Sequence, residues 1–164
     1  MRAPRFCVQC AGPLVEKEAE GRTRLVCSAE GCGFIHYGNP TPVVAAIVEH
    51  QGNVILVRNK GWPEKWFGLV TGFLEAGETP EDGILRELRE ELGLTGKVQG
   101  LVGVYGFVER NELIVAYHVV ADGEIVLGDE LEAFKPVPPE KLKPWPFGTG
   151  QAVREWLERR GLSP

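Results

Sequence analysis

The stretch from Gly72 to Leu94 constrains the fold of this chain more than any other, because turn and helix signals follow one another there in a fixed order. Glycines bracket a short loop, and Thr79 followed by Pro80 has the residue types of an N-cap and a first helical position. Four aliphatic residues recur at helical spacing: Ile84, Leu85, Leu88 and Leu92. Gly93 is placed to end the helix. The sequence therefore predicts a glycine loop and then an amphipathic helix starting at Thr79.

Three glutamates of this helix, Glu87, Glu90 and Glu91, are spaced i, i+3 and i+4, so their carboxylates gather on one face, away from the leucines. Alone, such a cluster is an ordinary solvated acidic face with neighbouring arginines as partners. The preceding loop favours another interpretation, because its backbone carbonyls and Glu78 add oxygen ligands beside the helix. Mg²⁺ and Mn²⁺ prefer an all-oxygen cage of this kind.

Four cysteines lie in the first fifth of the chain: Cys7, Cys10, Cys27 and Cys32. They form a C-x2-C and a C-x4-C knuckle, which is the spacing of a zinc ribbon with a closed, structural Zn²⁺ site. Residues 14–26 between them are predicted to form a polar hairpin with too few apolar side chains to fold unaided. His36 follows closely, but four thiolates fill the site, so we expect a structural or linker role for it. Paired knuckles disfavour the alternative of four incidental core cysteines.

Composition and linker signals predict one main domain and a small module before it. A chain of 164 residues with 43% hydrophobic residues can bury one core but hardly two. Gly38 to Pro42 contains two prolines and marks the linker, so we expect domains at 1–38 and 39–164. The net charge of −5 gives no general attraction to polyanions, so a phosphate-bearing substrate needs a local metal ion. Without an apolar run of signal or membrane length, we expect a cytoplasmic protein that has no membrane partner.

The rest of the chain alternates strand and helix signals. Predicted strands are 43–48, 54–57, 69–71, 98–108, 113–120 and 124–127. A terminal helix is predicted over 149–160, with Val153, Trp156 and Leu157 on its buried face. Trp145 and Phe147, just before it, are predicted to be packing anchors.

The helix and its loop resemble an unbroken Nudix box, G-x5-E-x7-R-E-U-x-E-E-x-G-U with U aliphatic. Its positions are filled by Gly72, Glu78, Arg86, Glu87, Leu88, Glu90, Glu91, Gly93 and Leu94. The order of zinc ribbon, residues 34–44 and box is similar to the zinc-ribbon Nudix group of NADH diphosphatases and ADP-ribose or FAD pyrophosphatases. The resemblance implies an α/β protein: a Nudix α/β/α sandwich with a mixed sheet, preceded by a small zinc-ribbon module.

The resemblance also implies roles for the residues of the box. Three glutamates of the helix would bind the catalytic Mg²⁺ or Mn²⁺: Glu87, Glu90 and Glu91. The Gly72 carbonyl would be a further ligand, Glu78 would support the site or join the metal ligands, and Arg86 would orient a glutamate. Members of the family often take a further acidic group from a later loop. Glu132 is the first choice here and Glu130 the second, with an ordinary solvated turn as the alternative.

The implied reaction is hydrolysis of a pyrophosphate bond in a nucleoside diphosphate linked to another moiety (ADP-ribose, FAD or NADH-like), which releases a nucleoside monophosphate. The S-Q-P-W-P-F-P-x-S signature of NADH diphosphatases is absent from 104–111, and the similar fragment at 144–147 is not counted as evidence for NADH. Five aromatic residues are candidates for stacking on a base: Trp62, Trp66, Phe73, Tyr105 and Phe107. The family resemblance is compatible with a homodimer.

Two alternatives stay open at this point. One is decapping of nucleotide-capped RNA, which would use the same active-site residues but a different partner. The other is a non-catalytic module that binds nucleotide or nucleic acid through the ribbon. The acidic net charge argues against nucleic acid as the partner, and the intact set of box glutamates argues against a loss of catalysis.

Overall fold

The chain folds as two units, Met1–Pro40 and Thr41–Pro164, in the structure, a computed structural model that describes residues 3–163. The first unit is a three-stranded antiparallel sheet of β1 (Leu14–Ala19), β2 (Arg22–Cys27) and β3 (Ile35–His36). Glu20 and Gly21 both have positive φ and turn β1 into β2, as in a type I′ hairpin. The predicted polar hairpin is confirmed, and among residues 3–40 only Cys7 and Cys27 are buried.

The second unit is built on a six-stranded mixed sheet. Its strands are β4 (Thr41–His50), β5 (Asn53–Asn59), β6 (Val70–Phe73), β7 (Thr95–Phe107), β8 (Glu112–Asp122) and β9 (Leu131–Val137). The order is β7-β8-β4-β5-β9, and β6 also pairs with β4. The β4–β8 pair is parallel and the other pairs are antiparallel. Short 3₁₀ helices cover Val108–Arg110 and Pro139–Lys141.

Two helices, α1 (Pro80–Leu92) and α2 (Gly150–Arg159), cover opposite faces of this sheet. Alternate residues of β4 divide between them: Val44, Ala46 and Val48 belong to the core beneath α1, and Val43, Ala45 and Ile47 to the core beneath α2. Because both faces are covered, residues 43–48 of β4 are all apolar instead of alternating with polar residues. The predicted α/β/α sandwich with a mixed sheet is confirmed, as are both helices.

The long strand β4 also explains how the glycine loop is positioned. Its first half pairs with β6, from Val43 opposite Phe73 to Ala46 opposite Val70, whereas its end pairs with β5. Gly72 therefore lies within β6, opposite Val44, and the loop proper follows Phe73. A strand fixed along the central strand thus delivers the chain directly to the start of α1.

The predicted strand over 124–127 is wrong, because this segment bonds to α1 instead of to the sheet. The Val126 N–H donates to the Leu92 carbonyl and the Gly128 N–H to the Glu91 carbonyl, both at 2.9 Å. These bonds satisfy carbonyls that the last turn of a helix leaves unpaired. The edge of the sheet is formed instead by β9, whose Pro136 is tolerated there because the strand pairs only with β5.

The segment before α2 follows the prediction only in part. Trp145 packs against the core beneath α2, as expected of an anchor, but Phe147 is 56% exposed and so is not a packing anchor. Within the described part of the chain, no helix is long and apolar enough to cross a membrane.

Candidate metal and substrate site

Helix α1 begins and ends where the sequence predicts. The Thr79 hydroxyl accepts the Asp82 N–H at 3.2 Å as an N-cap, and Gly93 takes the left-handed conformation with φ 66° at the C-cap. Ile84, Leu88 and Leu92 are fully buried beneath the helix. This anchoring holds the opposite face, which carries the glutamates, in one orientation beside β6.

Gly72 lies against the carboxyl group of Glu87. A Cβ atom at position 72 would overlap both the carboxyl carbon and Oε1 of Glu87. Only glycine therefore lets the backbone of β6 approach this carboxylate so closely. The contact places the main chain of Gly72 and the side chain of Glu87 in the same site.

Arg86 organises the carboxylates around it, because its guanidinium donates to five acceptor positions. Nε and Nη2 bind the two oxygens of Glu78 at 3.1 and 2.8 Å, and Nη2 also binds the Phe73 carbonyl at 3.1 Å. Nη1 binds Glu87 at 2.7 Å and Glu90 at 3.0 Å. All five N–H groups of the side chain are used. The hydrogen bonds from Arg86 lower the pKa of Glu78 to about 2, so Glu78 is ionised and fully engaged.

Glu91 is the one buried carboxylate among the described residues, with 6% of its surface exposed. Its Oε2 atom is buried and has no hydrogen-bond partner. Burial, and then the negative charges of Glu87, Glu130 and Glu90, raise its pKa to about 8. Burial also raises the pKa of Glu87. An unpaired buried carboxylate among other carboxylates is costly, and a cation at this point would relieve both problems.

A cleft of about 640 Å³, here called the acidic cleft, opens onto these side chains. Its acidic lining comprises Glu75, Glu87, Glu90, Glu91, Glu112, Asp129 and Glu130. Gly72 and Arg86 also line it, so the structure brings the helix glutamates, the glycine and the arginine together. Glu78 does not line the cleft and lies behind Arg86, with which it pairs. A carboxylate-rich cleft with backbone carbonyls offers the oxygen ligands that a hard divalent cation prefers.

Of the two later glutamates, Glu130 lies at the acidic cleft and Glu132 does not. Glu130 lines the cleft and is close enough to influence the ionisation of Glu91. Glu132 lies on β9, is half exposed, and pairs with Arg58 at 3.4 Å. The sequence placed Glu132 before Glu130, but the position of the two side chains favours Glu130 as the candidate ligand. The turn is at Asp129 and Glu130, both of which line the cleft, whereas Glu132 already lies on β9.

A second cleft of about 480 Å³, here called the aromatic cleft, shares part of its wall with the first. The shared residues are Val43, Trp62, Thr71, Arg110 and Glu112. Its aromatic lining comprises Trp62, Trp66, Phe67, Phe107, Trp145 and Phe147. Phe73, another candidate for base stacking, lines the acidic cleft. Tyr105 is buried, with its hydroxyl donated to Glu155, and lines neither cleft.

In the first unit, the four cysteine sulfur atoms lie within 4.8 Å of one another. Cys7 and Cys32 are 3.7 Å apart and Cys10 and Cys27 3.4 Å apart, too far for disulfides, and all four are free. Tetrahedral zinc with bonds of about 2.3 Å separates its sulfur ligands by about 3.8 Å, so the four atoms fit that ion. His36 pairs with Leu25 on β3 and does not belong to the cluster.

Comparison with known families agrees with this arrangement. Residues 39–159 match the NUDIX domain family, and residues 5–38 match the zinc-ribbon family described as Nudix N-terminal. Among known relatives, an ADP-ribose pyrophosphatase from Methanocaldococcus jannaschii is 38% identical over 100 residues, covering 57% of this chain and 59% of that protein. The NAD-capped RNA hydrolase NudC of Mycobacterium tuberculosis is 39% identical over 83 residues, covering 49% of this chain. The chain spans only 26% of that second relative.

Solved structures show the same fold. A NUDIX hydrolase from Nitrosomonas europaea aligns over 98% of this chain and 95% of its own, with a TM-score of 0.77 and 24% identity. A MutT NUDIX hydrolase from Burkholderia pseudomallei covers 71% of this chain and 98% of its own, with a TM-score of 0.58 and 27% identity. The box, the fold and the family matches agree, and the chain belongs to the NUDIX domain family.

Proposed function

We propose that this protein is a Mg²⁺- or Mn²⁺-dependent diphosphohydrolase. It would cleave the pyrophosphate bond of a nucleoside diphosphate linked to a second group, as in ADP-ribose, FAD or NADH, and release a nucleoside monophosphate. The observation that carries this proposal is the buried, unpartnered carboxylate of Glu91 at the bottom of an acidic cleft. A site with this much negative charge attracts a phosphate only when divalent cations are bound in it.

The proposed metal ligands are three glutamates and a backbone carbonyl: Glu87, Glu90, Glu91 and Gly72. We add Glu130 to this set in place of Glu132, because Glu130 lines the acidic cleft. Glu78 supports the site through Arg86, since both of its oxygens already accept from that side chain. When bound, divalent ions lower the pKa of the attacking water and neutralise charge that develops on the phosphates. In the first unit, the proposed ion is a structural Zn²⁺ held by the four cysteines.

The relatives support the proposed substrate class. Both named substrates, ADP-ribose and NAD-capped RNA, contain a nucleotide joined to a second group through a pyrophosphate bond. Decapping of RNA is the second candidate, favoured by the 39% identity to the capped-RNA hydrolase. The net charge of −5 favours the small substrate, because RNA binding draws most of its affinity from basic residues that contact phosphates.

Incubation with ADP-ribose, FAD, NADH, dinucleoside polyphosphates and NAD-capped RNA in the presence of Mg²⁺ tests this function. We expect a nucleoside monophosphate from at least one small substrate, identified by mass spectrometry, and none after chelation with EDTA. Glu90→Gln should abolish most of the rate, whereas Glu124→Gln, an exposed glutamate outside both clefts, should leave it unchanged. If no compound is cleaved, or if Glu90→Gln retains the full rate, the proposal is wrong.

Gly72→Ala is expected to lower kcat about 100-fold without unfolding the protein. The new methyl group would overlap the Glu87 carboxyl and displace it, and a misplacement of about 1 Å costs on the order of 100-fold in rate. The measurement is steady-state hydrolysis with Mg²⁺. Gly100→Ala is the matched control, because a Cβ at that sheet position meets nothing within 4 Å. Equal rates for the two variants would show that Glu87 does not need its present position.

A further inference from the structure

Charged residues alternate in sign along β1, where Glu16, Lys17 and Glu18 follow one another. Successive side chains of a strand point to opposite faces of a sheet, so this alternation separates the two signs instead of mixing them. Glu18 lies opposite Thr23 of β2 and accepts a hydrogen bond from its hydroxyl at 2.8 Å. Lys17 lies opposite Arg24. The glutamates and the lysine of β1 therefore occupy opposite faces of the hairpin.

The face that carries Lys17 is here called the basic face, because two arginines of β2 share it. Arg24 lies opposite Lys17 and Arg22 lies opposite Ala19, two residues further along the same face of β1. Lys17 and Arg22 are exposed. Residues 3–40 contain four basic and four acidic residues, so their sum hides this separation. The net charge of −5 describes the whole chain and not this face.

The pairing of Lys17 with Arg24 weakens the hairpin, because like charges directly opposite each other on two strands repel. Glu20 in the turn offsets only part of this repulsion. One of its oxygens is 3.9 Å from the Arg24 guanidinium, and the other accepts the Tyr37 hydroxyl at 3.3 Å. A unit with almost no buried apolar surface thus carries a repulsion between cations that a bound anion would relieve.

Tyr37 adds an aromatic ring to the basic face. The Arg24 guanidinium lies over this ring, 4.6 Å from its centre, and the tyrosine is still 47% exposed. An accessible ring beside cations is suited to stacking on an unpaired base whose phosphates bind those cations. Bases inside a duplex stack on one another and do not offer a face for this contact. The basic face therefore fits a single strand better than a duplex.

We propose that the basic face of the first unit binds single-stranded nucleic acid. The phosphates would lie on Lys17, Arg22 and Arg24, and an unpaired base would stack on Tyr37. This surface lies within the first unit and uses no residue of either cleft, so the inference goes beyond the proposed function and does not rest on it. It gives the first unit a role in binding besides the structural role proposed for its cysteines.

Fluorescence anisotropy of the zinc-loaded full chain with labelled single-stranded RNA and DNA of about 10 nucleotides, without added Mg²⁺, tests this surface. Both strands should bind, and a duplex of the same sequence should bind more weakly. Three phosphate contacts predict that the logarithm of the affinity falls with the logarithm of salt concentration with a slope of about −2. Tyr37→Ala should weaken binding about 5- to 100-fold, whereas Tyr37→Phe should retain most of the affinity.

Two neighbouring substitutions separate the effect of the basic face from that of net charge. Lys17→Gln and Glu16→Gln alter the charge equally but with opposite sign, and they lie on opposite faces. Lys17→Gln should weaken binding about 5-fold at about 0.1 M salt and make the slope shallower by about 0.7. Glu16→Gln, the matched control, should leave both quantities unchanged. Arg22→Gln, at another exposed position of the basic face, should repeat the effect of Lys17→Gln.

Three results would overturn the assignment. They are an absence of binding at millimolar concentration, equal binding of single strand and duplex with full affinity in Tyr37→Ala, and a gain in Glu16→Gln as large as the loss in Lys17→Gln. Zinc content and melting temperature should match the wild type in each variant, because the substituted side chains are exposed. A preference for RNA or for DNA would identify the partner and support the assignment. Hydrolysis of diphosphates by a protein that binds no strand would refute this inference alone.

Discussion

Replacing Glu91 by glutamine is expected to lower kcat about 1,000-fold and, in the metal-free protein, to remove a pH-dependent loss of stability. The side chain is buried at the base of the acidic cleft with one oxygen unpartnered. Glutamine keeps the shape but provides only one weak oxygen ligand and no charge. Loss of several kcal/mol of metal-based stabilisation corresponds to about three orders of magnitude in rate.

The effect on stability follows from the sign of the pKa shift. The Glu91 pKa rises from 4.5 to about 8 in the folded protein, mainly through burial. Between these values the unfolded chain ionises this group while the folded chain keeps it protonated, so stability falls as pH rises through the window. Glutamine has no proton to lose, and Glu91→Gln should therefore lack this fall.

Urea unfolding in EDTA at several pH values between 4.5 and 8, together with kcat in Mg²⁺, measures both effects. Glu124→Gln, an exposed glutamate outside the clefts, should match the wild type in each. Wild-type activity in Glu91→Gln would show that Glu91 is not a metal ligand. Parallel stability curves for the wild type and Glu91→Gln would show that the carboxylate is not held in an unfavourable environment.

Features set by local sequence were predicted well. Thr79, Pro80 and Gly93 mark the ends of α1 because capping and left-handed turns depend on a few neighbouring residues. The spacing of the glutamates also placed them on one helix face, and Arg86 lies among them. Buried strands such as β4 were recognised from their apolar runs. These elements carry most of the candidate metal site.

Features that depend on distant partners were not predicted. Residues 124–127 have strand-like composition, but the carbonyls at the end of α1 bind them instead of a neighbouring strand. Glu130, the second choice from the sequence, lines the acidic cleft, whereas Glu132 lies on β9 and pairs with Arg58, a residue distant in the sequence.

The aromatic cleft was anticipated only in part. Trp62, Trp66 and Phe107 were named as stacking candidates, but the contact of Trp66 with Phe147 joins segments far apart in the chain.

Cys27→Ser is expected to abolish stoichiometric zinc binding and to unfold the hairpin of β1 and β2. Among residues 3–40 only Cys7 and Cys27 are buried, so the first unit contains almost no hydrophobic core. Zinc bound by four thiolates contributes about 10–16 kcal/mol in comparable small modules, far more than this hairpin gains from burial.

Zinc analysis and amide hydrogen exchange would measure this outcome in the full chain. The wild type should contain about one zinc ion and protect the amides of β1 and β2, and prolonged chelation should remove both the ion and the protection. His36→Ala is the matched control, because His36 lies near the cysteines in sequence but pairs with Leu25 outside the sulfur cluster. Retention of full zinc and protection in Cys27→Ser would exclude a structural zinc site. Loss of zinc in His36→Ala would instead indicate a ligand set that includes the imidazole. If only Cys27→Ser loses its zinc, the ion replaces the core that this unit is too small to form.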